Sequence, residues 1–138
     1  MIISNKIAAG IRIAILALMS SMVAFSCLAA DDPSIKGTLR DNIQTSMNDY
    51  IEHQSISGSM YVYDAVDGKL LKLKLDKLHE GIVKKGDFYV SCADFKDQNG
   101  RKIDIDFMVR EKGDKLITTQ ALVHSVDGKK RKYHLESK

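Results

Sequence analysis

Residues 86–110 read Gly86-Asp87-Phe88-Tyr89-Val90-Ser91-Cys92-Ala93-Asp94-Phe95, then Lys96-Asp97-Gln98-Asn99-Gly100-Arg101, then Lys102-Ile103-Asp104-Ile105-Asp106-Phe107-Met108-Val109-Arg110. In the last part Ile103, Ile105, Phe107 and Val109 alternate with Lys102, Asp104, Asp106 and Arg110. Successive side chains of a strand point to opposite faces, so this pattern predicts one buried apolar face and one wet face. The first part is rich in aromatic and β-branched residues, and Asn99-Gly100 between the two is a hairpin signal. The stretch therefore predicts a central antiparallel hairpin, with a helix and further strands packed onto it.

Outward from this hairpin the chain keeps the same grammar. Residues 77–86 carry Leu78, Ile82 and Val83 without a clean period, which fits either a short helical turn or an irregular crossover. Residues 60–76 predict a second hairpin, with 61–66 as one arm, 69–76 as the other and Asp67-Gly68 suited to a type I′ turn. Leu71, Leu73 and Leu75 alternate there with Lys72, Lys74 and Asp76. On the C-terminal side Lys112-Gly113-Asp114 makes a turn, residues 115–126 a strand, Asp127-Gly128 a turn, and residues 132–135 a last short strand. Val66-Asp67-Gly68-Lys69 and Val126-Asp127-Gly128-Lys129 are the same tetrapeptide. Because Asp-Gly is a common turn solution, we read them as two hairpins meeting one geometric need rather than as a duplication.

Residues 31–53 predict one amphipathic helix. Ile35, Leu39, Ile43, Met47, Tyr50 and Ile51 form a single apolar stripe, with Asp32 as N-cap and Pro33 at the first helical position. Gln54 to Ser59 lacks the stripe and ends in turn formers, so the helix stops near His53.

Residues 1–30 have the three parts of an export signal. Lys6 and Arg12 form a positive front, residues 13–25 an apolar run, and Ser26-Cys27-Leu28-Ala29-Ala30 a small-residue end. Cleavage is expected near Ala29 or Ala30, which places the mature protein in the periplasm or outside the cell. Cys27 raises an alternative: acylation as in a bacterial lipoprotein, which would hold the protein at a membrane surface. Phe25 and Ala24 depart from the lipoprotein pattern. Residues 31–138 then form a single domain, large enough for one core.

The 138-residue chain has a net charge of +3, and removing residues 1–30 leaves +1. That balance argues against a nucleic-acid-binding protein, which carries a strongly basic face. The expected fold class is α+β: one N-terminal amphipathic helix packed on a curved antiparallel sheet of five or six strands. In this element order the chain resembles the cystatin-like group of folds, including the NTF2-like cones, and small exported bacterial proteins. The stretches carrying the resemblance are Tyr63-Asp64-Ala65-Val66-Asp67-Gly68-Lys69, Lys84-Lys85-Gly86-Asp87-Phe88-Tyr89-Val90 and Val123-His124-Ser125-Val126-Asp127-Gly128-Lys129-Lys130. The resemblance implies a fold and carries over no site residues.

No phosphate loop, catalytic motif or complete metal-ligand set is read, and no cofactor is expected. Cys92, the only thiol outside residues 1–30, is expected in the packed core. His79, His124 and His134, with Glu80 nearby, are the candidate metal ligands, because His124 and His134 flank a turn and can face each other on paired strands. Asp104 and Asp106 share a strand face and can meet Asp94 or Ser91 across the hairpin; their alternation with an apolar set reads as a wet face. Tyr61, Tyr63, Tyr89 and Asp94 are candidates for lining a ligand cleft between helix and sheet. Lys129-Lys130-Arg131-Lys132 reads as a solvated edge that discourages strand pairing between molecules.

The expected role is binding or accessory work without catalysis, toward a small ligand or an envelope protein. One alternative is a small NTF2-like enzyme with an Asp general base in a helix–sheet pocket. Another is a metal-handling periplasmic protein.

Overall fold

The computed structural model describes residues 31–133; the expected export signal, Cys27 and His134 lie outside them. One helix, α1 (Thr38–His53), is followed by seven strands: β1 (Ser55–Ile56), β2 (Ser59–Asp64), β3 (Lys69–Lys85), β4 (Phe88–Asp97), β5 (Lys102–Lys112), β6 (Lys115–Val126) and β7 (Lys129–Lys130). They form one antiparallel sheet in sequence order, a meander in which every connection is a hairpin. No helix among the described residues is long and apolar enough to cross a membrane. The α+β class holds. The sheet has seven strands rather than five or six because the two-residue β1 and β7 were not separable from turns by pattern.

The core lies between α1 and one sheet face. Ile43, Met47 and Ile51 of α1 meet Ala93 and Phe95 of β4, and Ile103, Ile105, Phe107 and Val109 of β5. Tyr50 stacks edge-on against Phe107, with ring centroids 6.0 Å apart. The stripe predicted from spacing is the buried stripe, but the helix begins at Thr38, not near Asp32. Gly37 occupies the N-cap at φ 58°, a left-handed backbone that glycine tolerates. Asp32 caps a turn instead of a helix: its Oδ1 accepts the Ser34 amide at 2.9 Å, and its carbonyl accepts the Ile35 amide at 3.0 Å. This segment is tied to the sheet rather than wound, since Asp32 N–H donates to the Ile82 carbonyl and Asp31 Oδ1 accepts the Ile82 amide.

Residues 77–86 are neither helical turn nor crossover. Residues 77–85 continue β3, a 17-residue strand broken by two irregularities, and Gly86 begins the turn to β4. Leu78 pairs Ala93 and Ile82 pairs Ser91, so His79, Glu80 and Gly81 bulge against the single residue Cys92. A bulge accommodates extra residues by bending the strand, which is why the apolar period fails there. β6 also has two irregularities; at one, Asp104 pairs Ser125 and Ile105 pairs Val123, leaving His124 as the extra residue. The bulges curl the sheet until β2 touches β6. Arg131 closes that gap, its Nη2 lying 2.5 Å from buried Asp64 Oδ2 and 3.1 Å from Asp67 Oδ2. Lys129 and Lys130 are solvated edge residues as expected, whereas Arg131 is turned inward. The chain after β7 has no regular strand at residues 131–133.

The two Val-Asp-Gly-Lys tetrapeptides make different turns. Asp127 and Gly128 both have positive φ, 47° and 76°, and Val126 pairs Lys129 across a two-residue type I′ loop. Around Asp67 the closing pair is Asp64 with Lys69, a four-residue loop in which Gly68 has positive φ. Buried Asp64 explains the difference: its Oδ1 accepts the Val66 amide at 3.1 Å, so the chain turns before the Asp-Gly pair.

Candidate metal centre

The face of β4 and β5 opposite the core was expected to be wet. Lys102 and Arg110 at its ends are exposed, but its centre is dry. Cys92 is 2% exposed, Asp104 3% and Asp106 5%, and Asp94 and His124 are buried beside them. Cys92 is in register with Asp106, and Asp94 with Asp104, so the four side chains form a compact block on adjacent strands. Two physical causes dry this face. The bulges of β3 and β6 fold His79 and His124 over its two sides, and the chain after β7 returns across it. In that return the Arg131 amide donates to the His124 carbonyl at 2.7 Å and the Tyr133 hydroxyl donates to Asp106 Oδ2 at 2.8 Å.

His79 Nδ1 lies 2.9 Å from Cys92 Sγ, while its Nε2 lies 3.1 Å from Asp94 Oδ2. Thiol, imidazole and carboxylate thus stand in one chain. Lys102 Nζ reaches the same Asp94 oxygen at 3.0 Å. Burial raises the Asp94 carboxyl pKa, but the hydrogen bonds from His79 and Lys102 together outweigh it and hold the group below the ordinary carboxylate value. The reciprocal effect is that Asp94 raises the Lys102 ammonium above its usual value. On the other side His124 Nδ1 lies 2.7 Å from Asp106 Oδ2.

One donor atom each from His79, Cys92 and Asp104 falls within a 4.8 Å span. Neutral imidazole, thiolate and carboxylate are the donor types that zinc takes. Tetrahedral zinc would separate its nitrogen and sulfur ligands by roughly 3.6 Å. From 2.9 Å, the His79 ring must therefore move by less than an ångström. Asp94 then holds the distal His79 nitrogen, the arrangement in which a carboxylate orients a ligating histidine. Asp94 Oδ1 is buried and has no hydrogen-bond partner among the described residues, so acceptor capacity remains beside the donors. Asp94, Asp104 and Asp106 are gathered here, with Lys102 in ion-pair contact with Asp94.

Of the predicted metal ligands, His79 and His124 flank the same block from opposite strands, but His124 pairs with Asp106 and is not in the three-donor group. Cys92 is buried, as expected of a packed thiol, but on the sheet face away from the helix and among polar groups. Asp104 and Asp106 are buried, which corrects their reading as wet. The proposed cleft does not assemble as one site. Tyr89 is on the core face, its hydroxyl donating to Glu111 Oε1 at 3.2 Å. Tyr63 is exposed on β2, and Asp94 belongs to the polar block. Cys92 and Asp104 were not among the candidate ligands read from the sequence, although one signal existed. Cys92-x-Asp94 and Asp104-x-Asp106 are two polar pairs at period two in the two arms of one hairpin, and such pairs must face each other in some register.

No family model, curated protein or solved structure matches the chain.

Proposed function

We propose that the protein is an exported, non-catalytic binding protein whose ligand is a thiophilic divalent cation, zinc in the first instance. His79, Cys92 and Asp104 are its ligands, and Asp94 orients His79. The observation that carries this reading is the convergence of the three donor atoms within 4.8 Å on a buried face. Thiolate selects against magnesium and calcium, which take oxygen ligands. Export is supported by the pattern of residues 1–30.

Two catalytic readings have less support. An Asp general base needs a raised pKa, and Asp94 is held low. The Cys92–His79–Asp94 chain has the order of nucleophile, base and orienting carboxylate, but 2% exposure leaves the thiol no approach for a substrate carbonyl.

The test is titration of chelator-stripped protein with cobalt(II), followed by displacement with zinc. Expected is one equivalent bound, with a thiolate-to-cobalt charge-transfer band that disappears in Cys92→Ser and weakens in His79→Ala. Absence of stoichiometric binding, or an unchanged band in Cys92→Ser, refutes the proposal.

A further inference from the structure

β3, β4 and β5 carry Lys74, Lys96 and Lys102 at directly paired positions, Lys74 opposite Lys96 and Lys96 opposite Lys102. Paired residues share a sheet face, and like charges facing each other across strands are destabilising. Three in one row is therefore an arrangement that the fold does not need. Two members have partners: Lys102 sits on Asp94 at 3.0 Å, and Lys96 reaches Asp76 at 3.2 Å. Lys74, and Lys72 two residues before it on the same face, have no ion-pair partner among the described residues.

Lys72, Lys74 and Lys96 stand around a groove of about 360 Å³, with Ser59, Asp97 and Gln98 completing its wall. Asp97 is the one carboxylate in that wall, and it is already occupied. Its Oδ1 accepts the amides of Asn99 and Arg101, each at 2.9 Å, and its Oδ2 takes Arg101 Nε at 2.7 Å. Counting Asp76 against Lys96 and Arg101 against Asp97, the groove keeps the charge of two ammonium groups.

We propose that this groove binds a phosphate-bearing ligand, held by Lys72, Lys74 and Lys96. Neighbours along one strand face lie about 7 Å apart and those across strands about 5 Å apart. Three flexible lysines at such spacing converge on one dianionic group. A single carboxylate has too little charge to offset them, whereas phosphate is a group that lysine meets as a point charge. The site stands apart from the metal centre: none of its three lysines is a metal ligand, and Lys102 alone links the two by leaving the row to neutralise Asp94. Soluble molecules and lipid headgroups both carry phosphate, and two arms separate these sources.

In the first arm inorganic pyrophosphate is titrated calorimetrically into the chelator-stripped protein at low ionic strength. In the second, vesicles of phosphatidylcholine with phosphatidic acid are sedimented with the protein. Saturable binding of either kind, weakened at least tenfold by Lys74→Ala and by Lys72→Ala but unchanged by Lys129→Ala on β7, is the expected result. Pyrophosphate binding without vesicle binding assigns a soluble ligand; vesicle binding that pyrophosphate displaces assigns a headgroup. Lys74 is exposed, so Lys74→Ala should fold and melt no lower than the parent, because it removes a like-charge contact. No saturable binding in either arm, or equal weakening by Lys129→Ala, overturns the proposal. The Cys92→Ser variant should bind pyrophosphate normally, so failure of the metal reading leaves this one standing.

Discussion

The two faces of the β4–β5 hairpin are built from one alternating sequence, and both are dry at their centres. On one, Phe95, Ile103, Ile105, Phe107 and Val109 meet the helix. On the other, Cys92, Asp94, Asp104 and Asp106 meet two histidines and a returning chain end. The first face is buried because removing apolar area from water is favourable. The second is buried although its side chains favour water, at the cost of desolvating three carboxylates. That contrast is what singles out the polar face as the candidate site: burial that the hydrophobic effect does not explain needs a different reason, and a bound cation is the reason we propose.

The largest effect should come from the apolar face. Phe107→Ala removes a fully buried ring and should lower the unfolding free energy by about 4 kcal/mol, read by urea denaturation. A loss under 1 kcal/mol would mean that the helix does not seal this face. Next is the response to metal. At free zinc a hundredfold above Kd, ligand linkage adds about 2.7 kcal/mol of stability. The parent should show that gain in thermal denaturation, and Cys92→Ser should not; equal gains in both would place the zinc elsewhere.

Asp106→Ala sharpens the comparison further. It strips the acceptor from His124 and Tyr133 and should cost about 2 kcal/mol in metal-free protein. A gain instead would show that crowding of the carboxylates outweighs their hydrogen bonds. The smallest effect concerns the turn that holds both faces in register. Burial raises the Asp97 carboxyl pKa, but donors from Arg101, and the backbone amides of Arg101 and Asn99, outweigh it and leave the pKa below the ordinary value. A depressed folded value means that the stabilisation is complete above about pH 4 and is lost as pH falls through the lower, folded value. The stability difference between the parent and Asp97→Asn should therefore be constant above about pH 5 and shrink as the pH falls below the ordinary carboxylate value. A difference that does not change with pH would show that Asp97 acts through shape alone.

The apolar face, the helix stripe and the hairpin order were readable from spacing alone, since a period of two or 3.6 is a local property of the chain. The helix start was misread because Asp32 and Pro33 suit a helix N-terminus and a turn equally. Only the contacts of Asp31 and Asp32 with Ile82 choose between them. The two Val-Asp-Gly-Lys turns diverge for the same reason: Asp64, held by Arg131 from the far end of the chain, decides the first.

The candidate metal centre lay further from reach. Its polar pairs, Cys92-x-Asp94 and Asp104-x-Asp106, were visible, but period two marks only which residues share a face. It does not say whether that face is wet. His79 reaches Cys92 and Asp94 because a three-residue bulge stands opposite one residue of β4, and His124 reaches Asp106 from a bulge in β6. Bulges break the period on which sequence reading depends, and register between strands is a property of the assembled sheet. Local alternation was enough to determine the strands and the core. Which polar side chains are buried together was decided only by the curl of the sheet and the return of the chain, because both depend on contacts between residues far apart in sequence.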